Sequence, residues 1–302
     1  MARPLFYRTY QQLAADIRAW SRRLPEDIVA VAGISRSGMI VASMLMAERN
    51  IHMLSTDELW AGEAPWLLEK RRSCPAKELG RIMVVDDTVS SGEHMEAERT
   101  RINKAIEYRD PLLVDVPGRG LKIEYAAVYA MSRAIDKVDH YFLNVGTVDH
   151  VFEWNWHHHW FLENCLLDMD GVLCEDWMHG TEEDHLAPAY LSHLENAKPL
   201  MKPSFEIGEI VTGRLEKYRP QTEAWLAKNE IRYKKLTMTP FDTPAQRALN
   251  GGSAARKSMI YQSNPDAVMF VESCPHQALV IATQTGRPVL SYQEQRFFNG
   301  AM

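Results

Sequence analysis

Two adjacent carboxylates and a hydroxyl-rich turn form the first group of residues suited to chemistry. Asp86 and Asp87 follow the apolar run Ile82–Val85, and the residues after them are Thr88, Val89, Ser90, Ser91 and Gly92. Free N–H groups and hydroxyls at a helix N-terminus bind anions, and paired carboxylates suit a vicinal diol or Mg²⁺. The segment therefore predicts a ribose-phosphate site, with an ordinary Asx-type turn as the alternative.

A second loop also lies between an apolar run and a helical pattern. After Ile28–Ala32 and Gly33, the loop contains Ser35, Arg36, Ser37 and Gly38. We expect its backbone N–H groups to bind a second anion, with Arg36 adding positive charge. Further along the chain, a basic run suits either a lid over a phosphorylated ligand or a solvated loop; it consists of Lys70, Arg71 and Arg72.

Asp168 and Asp170 follow the apolar run Cys165–Leu167 and form a third group. Side chains two residues apart can converge on one Mg²⁺ where a chain leaves a strand, and one carboxylate can attack phosphorus while the other transfers a proton. A β-turn is the alternative. Later polar positions complete this group, and they are Thr212, Gly213, Lys257 and Glu272. Lys234 and Lys235 compete with Lys257 as the phosphate-binding lysine.

Short apolar runs and helical patterns alternate along both halves of the chain. The predicted strands are Ile28–Ala32, Ile82–Val85, Glu124–Ala130, Cys165–Leu167, Glu209–Val211, Ala267–Val271 and Pro288–Leu290. Such alternation is typical of an α/β fold with parallel sheets, whose ligand sites lie at the carboxyl ends of the strands. We predict two Rossmann-like α/β domains, 1–160 and 161–302.

Composition narrows the class of protein. With 302 residues, 46% of them hydrophobic, the chain is long enough for two globular domains. A net charge of −6 and short basic runs argue against nucleic-acid binding, and no apolar run approaches the ~20 residues that span a bilayer. The four cysteines are isolated, which favours reduced thiols and a cytoplasmic location.

Positions 25–157 resemble a type I phosphoribosyltransferase, and most of all its bacterial xanthine-guanine branch. The resemblance implies that Ser35–Gly38 binds the pyrophosphate of phosphoribosyl pyrophosphate (PRPP), that Asp86 and Asp87 bind the ribose hydroxyls, and that Thr88–Gly92 binds the 5′-phosphate. It also implies base contacts, which would come from Met131, Phe152 and Trp156. Packing between domains is the alternative for Trp156.

Two departures from that family concern the acceptor of the phosphoribosyl group. Ser90 stands where purine-specific members have a third acid, and Met131 stands where they have a lysine that reads a 6-oxo group. A hydroxyl is a poor base at neutral pH, and a thioether cannot donate to a carbonyl. We therefore expect a working sugar-phosphate site whose acceptor is not guanine, xanthine or hypoxanthine.

Positions 164–292 resemble the haloacid-dehalogenase superfamily of phosphohydrolases, with a small cap at 175–205. The resemblance implies that Asp168 is a nucleophile forming an aspartyl-phosphate and that Asp170 is the general acid and then the base. It implies phosphate ligands at Thr212, Gly213 and Lys257, and Mg²⁺ ligands at Asp168, Asp170 and Glu272. Glu272 stands where an Asp is usual, and 211–226 more loosely resemble the phosphatase half of polynucleotide-repair enzymes.

The leading hypothesis is a bifunctional, Mg²⁺-dependent enzyme that transfers phosphoribosyl to a base-like acceptor and hydrolyses a phosphate monoester. Its partners would then be small molecules, and the phosphoribosyltransferase resemblance implies self-association. One alternative is a nucleotide-sensing regulatory protein with an inactive transferase domain. Another is a phosphatase whose N-terminal domain only captures substrate.

Overall fold

The computed structural model describes residues 5–61, 80–109, 122–177 and 187–299. The predicted lid residues Lys70, Arg71 and Arg72 lie outside these ranges. The described chain forms two compact units, one of residues 8–148 and the other of residues 5–7 with 149–299. The division into domains 1–160 and 161–302 stays a prediction. Within the described ranges, no helix is long and apolar enough to cross a membrane.

The unit of residues 8–148 is a parallel five-stranded sheet with helices. Its strands are β2 (Ile28–Gly33), β3 (His52–Ser55), β4 (Arg81–Val89), β5 (Lys122–Met131) and β6 (His140–Gly146), and its helices are α1 (Tyr10–Ser21), α2 (Ser37–Arg49), α3 (Thr56–Ala61) and α4 (Glu93–Arg109). The strand order is β3-β2-β4-β5-β6. Buried apolar runs in β2, β4 and β5 form the centre of the sheet, as parallel strands covered on both faces require.

Strand β4 is longer than the sequence predicted. We expected the strand to end at Val85, but pairing with β5 continues through Asp86 and Thr88 to Val89. The long apolar run of β5 supplies a partner for each of these residues, and this partner could not be read from β4 alone. Asp86, Asp87, Thr88 and Val89 therefore lie in the last part of a strand, and the turn itself is limited to Ser90, Ser91 and Gly92.

The second unit contains a six-stranded sheet. Its strands are β8 (Cys165–Leu167), β9 (Ile207–Leu215), β10 (Tyr233–Thr239), β11 (Met269–Glu272), β12 (Val289–Ser291) and β13 (Arg296–Phe298), in the order β10-β9-β8-β11-β12-β13. Only β13 is antiparallel to its neighbour among these six. A separate two-stranded sheet joins β1 (Leu5–Arg8) and β7 (Asp149–Phe152). The prediction of α/β structure with parallel sheets is confirmed.

The helices of this unit are α5 (Ala187–Asn196), α6 (Arg219–Lys228), α7 (Pro244–Leu249), α8 (Gly252–Gln262) and α9 (Pro275–Thr285). Helix α5 lies within the predicted cap, of which residues 178–186 fall outside the described ranges. The apolar side chains of β8, β9 and β11 form the core, as Leu167, Ile210 and Val271 show. Asp168 and Glu272 lie at the carboxyl ends of β8 and β11, on either side of which the sheet continues. Thr212 lies inside β9, because this strand extends beyond its predicted end at Val211 to Leu215, where it pairs with β10. The topology thus places the three predicted residues on neighbouring strands.

Candidate active sites

The loop Ser35–Gly38 packs against the strand that carries Asp86. The Ile34 amide donates to the Val85 carbonyl at 3.0 Å. A Cβ atom added to Gly38 would lie 2.4 Å from the Val85 oxygen and 3.2 Å from the Asp86 Cα. Only glycine allows this approach. The predicted anion loop and the predicted diol carboxylates are thereby placed side by side at the carboxyl edge of the sheet.

Asp86 and Asp87 form a coupled acidic pair. The Asp87 amide donates to Asp86 Oδ1 at 2.9 Å. Burial, and then the charge of Asp87, raises the pKa of Asp86 well above its usual range. The imidazole of His94 lies 3.9 Å from Asp86 Oδ2. The charge of the Asp86 carboxylate, beside that of Asp87, favours hydrogen-bond donors or a cation, and Mg²⁺ is commonly held by one or two carboxylates together with substrate phosphates. The pair fits that ion.

Ser90, Met131 and Arg133 form a contact cluster, named here the Arg133 corner. The Ser90 hydroxyl donates to the Met131 sulfur at 3.1 Å. Arg133 Nε donates to the Ser90 carbonyl at 2.9 Å and Nη2 to the Ser90 hydroxyl at 3.0 Å. Sequence reasoning missed Arg133. The sequence did contain an indication of its role. Arg133 follows the carboxyl end of β5, and parallel α/β sheets bind their ligands at this edge.

The predicted base-stacking residues Phe152 and Trp156 are buried among aromatic neighbours of the second unit. Phe152 stacks on Trp154 with ring centroids 4.7 Å apart. Trp156 packs edge-on against Tyr292 at 5.9 Å and belongs to the apolar core. Both rings therefore pack against neighbouring aromatic side chains. The role of Phe152 and Trp156 in base binding stays a prediction.

In the second unit, Lys257 lies between two buried carboxylates. Its Nζ is 2.8 Å from Asp168 Oδ2 and 2.7 Å from Glu272 Oε2. Burial, and then the charge of Glu272, raises the pKa of Asp168, although Lys257 opposes this shift. The competing lysines pair elsewhere, Lys234 with Glu163 and Lys235 with Glu209. Of the three candidates, Lys257 is therefore the lysine placed to act with Asp168.

Asp170 is held by a buried arginine. Arg214 Nε donates to Asp170 Oδ2 at 2.9 Å, and Nη2 donates to Oδ1 at 2.6 Å. Burial alone would raise the pKa of Asp170, but the Arg214 charge outweighs it and the pKa is lowered. Sequence reasoning gave Arg214 no role. Nothing in the spacing shows that a side chain 44 residues away will face Asp170.

Thr212 and Gly213 lie between these two groups along β9. The Thr212 hydroxyl accepts from the Arg214 amide at 3.1 Å, and the residue is fully buried. The Gly213 carbonyl accepts from Arg247 Nη1 at 2.6 Å. Leu167 pairs with Ile210, so Thr212 lies two residues further along β9, on the strand next to the one that Asp168 follows.

The three predicted Mg²⁺ ligands of this unit do not form a metal centre as they are placed. Asp168 accepts from Lys257 and Ser273, and Glu272 accepts from Lys257 and the Cys274 amide. Asp170 has both oxygens on Arg214. In the described part of the chain, no group of three His, Cys, Asp or Glu side chains is arranged to hold a metal.

Comparisons with known proteins find likeness only among solved structures. No protein-family model matches the chain, and no curated protein matches it. A purine phosphoribosyltransferase from Pyrococcus horikoshii Ot3 is 17% identical, with a TM-score of 0.34, over 50% of this chain and 93% of its own. A xanthine-guanine-hypoxanthine phosphoribosyltransferase from Helicobacter pylori is 14% identical, with a TM-score of 0.35, over 51% of this chain and 94% of its own.

A third solved structure is a hypothetical protein from Neisseria gonorrhoeae with bound ppGpp. It is 16% identical, with a TM-score of 0.35, over 51% of this chain and 91% of its own. The likeness to these three structures falls on the N-terminal half of the chain.

Proposed function

We propose that residues 8–148 transfer a phosphoribosyl group from PRPP to a nitrogen-containing acceptor. The observation that carries the proposal is the close packing of the Ser35–Gly38 loop against the strand bearing Asp86 and Asp87. An anion-binding loop and a diol-binding acidic pair are thereby joined at one sheet edge. PRPP carries a diol flanked by pyrophosphate and phosphate, and it fits this order of groups.

The residues of this unit act by binding and orientation. The N–H groups of Ser35–Gly38 bind the pyrophosphate, and Arg36 adds charge. Asp86 and Asp87 accept from the ribose hydroxyls, and the turn of Ser90, Ser91 and Gly92 at the start of α4 binds the 5′-phosphate. Mg²⁺, when bound with PRPP, supplies electrostatic stabilisation of the leaving pyrophosphate. Calorimetric titration with Mg²⁺ and PRPP tests the proposal, and an absence of binding would contradict it.

Replacement of Gly38 with Ala should weaken PRPP binding and leave phosphate release unchanged. The new Cβ would meet the Val85 carbonyl at 2.4 Å, so the loop must move away from Asp86. We expect the affinity for PRPP to fall about 10-fold or more, since charge-assisted hydrogen bonds are lost. Gly146→Ala is the matched control, because Gly146 has φ +71 but nothing within 4 Å of an added Cβ. Gly146→Ala should lower the stability of the protein and keep its affinity for PRPP. Equal losses of PRPP affinity in the two variants would contradict a role of the Ser35–Gly38 loop in binding PRPP.

We propose as a second function that residues 149–299 hydrolyse a phosphate monoester. Two observations favour this function. Lys257 contacts both Asp168 and Glu272, and Asp170, two positions after Asp168, pairs with Arg214. Asp168 attacks phosphorus and the ester oxygen leaves with the bonding electrons, which forms an aspartyl-phosphate. Water then attacks that phosphorus as Asp170, ionised by Arg214, accepts its proton. The bond from phosphorus to the Asp168 oxygen breaks, which regenerates the carboxylate and releases inorganic phosphate. Thr212 and Lys257 bind the phosphoryl oxygens.

Together the two functions give one sequence of reactions. Transfer from PRPP yields a 5′-phosphorylated product, and hydrolysis of that phosphate would make the transfer effectively irreversible. We propose this nucleotide-like product as the substrate of the second unit.

The pH dependence of phosphate release should report the charge of Glu272. Asp168 attacks as a carboxylate, so hydrolysis slows as pH falls through its raised pKa. Glu272→Gln removes a negative charge that raises this pKa, and the acidic limb of the pH–rate profile should move to lower pH. Glu209→Gln is the control, because Glu209 is also a buried carboxylate beside a lysine. If the acidic limb of the pH–rate profile does not move in Glu272→Gln, the assignment of this limb to the Asp168 carboxylate beside Glu272 is contradicted.

A further inference from the structure

Resting on the proposed phosphoribosyl transfer, we propose that the Arg133 corner recognises the acceptor. The acceptor class is a planar nitrogen heterocycle bearing a carboxylate, whose ring nitrogen attacks without first losing a proton to the protein.

The position of the corner is the first step. Strand β4 carries Asp86 and Asp87 and pairs with β5 up to Val89, which lies opposite Ala130. Ser90 and Met131 are the next residues of the two strands, so the corner adjoins the diol carboxylates at the carboxyl edge of the sheet. Ligands of parallel α/β sheets bind outside this edge. A group seated at the corner is therefore beside the ribose of a bound PRPP.

The charge of the corner is the second step. Arg133 is exposed, and its Nε and Nη2 are directed to Ser90. Its Nη1 has no hydrogen-bond partner among the described residues, and no described carboxylate lies within ion-pair distance of it. The two bonds to Ser90 fix the plane of the guanidinium, and Nη2 also donates to the Met131 sulfur at 3.7 Å, which leaves Nη1 for a ligand. A preoriented planar cation of this kind selects a carboxylate.

The absence of a proton acceptor in the corner is the third step. The Ser90 hydroxyl gives its proton to the Met131 sulfur and accepts from Arg133. No described carboxylate or imidazole is hydrogen-bonded to Ser90, Met131 or Arg133. His94 lies instead beside Asp86. The corner therefore donates and carries positive charge, but it cannot take a proton from a ring N–H.

An acceptor suited to this corner supplies its own lone pair. The ring nitrogen forms a bond to the anomeric carbon as the bond from that carbon to the pyrophosphate oxygen breaks, and the electron pair leaves with pyrophosphate. No proton is transferred. When the nitrogen has a neutral pyridine-type lone pair, the product ring is cationic, and its own carboxylate, held by Arg133, balances the new charge.

A matched acid and its neutral analogue test this inference on the full chain. Pyridine-3-carboxylate is compared with pyridine-3-carboxamide, each with PRPP and Mg²⁺, and pyrophosphate release and product mass are measured. We expect product from the acid at least about 10-fold faster than from its neutral partner. Arg133→Gln should raise the KM for that acid about 10-fold or more and raise the KM for PRPP far less, and Arg133→Lys should restore part of the affinity for the acid.

The control and the outcomes separate the inference from the function on which it rests. Arg18→Gln removes an exposed arginine of α1 that pairs with Glu48, and it should change neither KM. A neutral partner used as well as its acid, or an unchanged acid KM in Arg133→Gln, overturns the inference while PRPP-dependent transfer stands. If the protein does not bind PRPP in calorimetry, the proposed function falls and the inference falls with it.

Discussion

Asp168→Asn is expected to abolish phosphate release by the full chain. The carboxylate of Asp168 is the proposed nucleophile, and it lies 2.8 Å from Lys257 and accepts from Ser273 at 3.2 Å. Asparagine keeps the shape of the side chain but cannot form the acyl phosphate. We expect the rate of hydrolysis of p-nitrophenyl phosphate to fall about 10³-fold or more.

Two controls make this loss specific. Asp176→Asn changes an exposed carboxylate of the same loop, and phosphate release should persist. Pyrophosphate release from PRPP by Asp168→Asn should remain at the wild-type rate, because its proposed residues lie in the separate unit of residues 8–148. Loss of both activities, or survival of phosphate release, would contradict two independent sites with Asp168 as the nucleophile.

Among the substitutions proposed here, Arg214→Met is expected to cause the largest loss of folding stability. Arg214 is 1% exposed and binds both oxygens of Asp170. Methionine fills much of the volume but leaves a mostly buried carboxylate without its counter-charge. We expect the free energy of unfolding, measured with urea, to fall by about 3 kcal/mol. Phosphate release should also fall, because Asp170 no longer has the lowered pKa that keeps it ionised.

The pH dependence of this loss has a defined sign. A lowered carboxyl pKa stabilises the folded state above the unfolded pKa, and that contribution disappears as pH falls through the folded pKa. The stability difference between the wild type and Arg214→Met should therefore be largest at neutral pH and shrink in acid. The double variant Asp170→Asn/Arg214→Met removes the unpaired charge and should recover part of the loss. No recovery would contradict an uncompensated Asp170 charge as the cause.

Strand periodicity predicted the class of the fold well because buried parallel strands are short apolar runs. Cys165–Leu167 was predicted to the residue. The extension of β4 to Val89 was missed, because it depends on pairing with β5 rather than on the residues of β4. Local pattern shows which segments pack inside, whereas strand ends are set by partners distant in the sequence.

The same distinction applies to the sites. Asp168 and Lys257 stand out as residue types at the ends or flanks of apolar runs, and the fold brings them together. Arg214 and Arg133 could not be assigned from the sequence, because an arginine near a strand end is common. Their roles depend on which atoms they face, namely both oxygens of Asp170 and the hydroxyl of Ser90.

One measurement tests the central claim of a phosphoribosyl transfer followed by dephosphorylation. Wild-type protein and Asp168→Asn are incubated with PRPP, Mg²⁺ and pooled purine, pyrimidine and pyridine acceptors that include pyridine-3-carboxylate, and the products are identified by mass spectrometry. The account predicts a nucleoside from the wild type and its 5′-nucleotide from Asp168→Asn. Unconsumed PRPP with both proteins would contradict the transfer, and accumulation of the same nucleotide with both would contradict the second step.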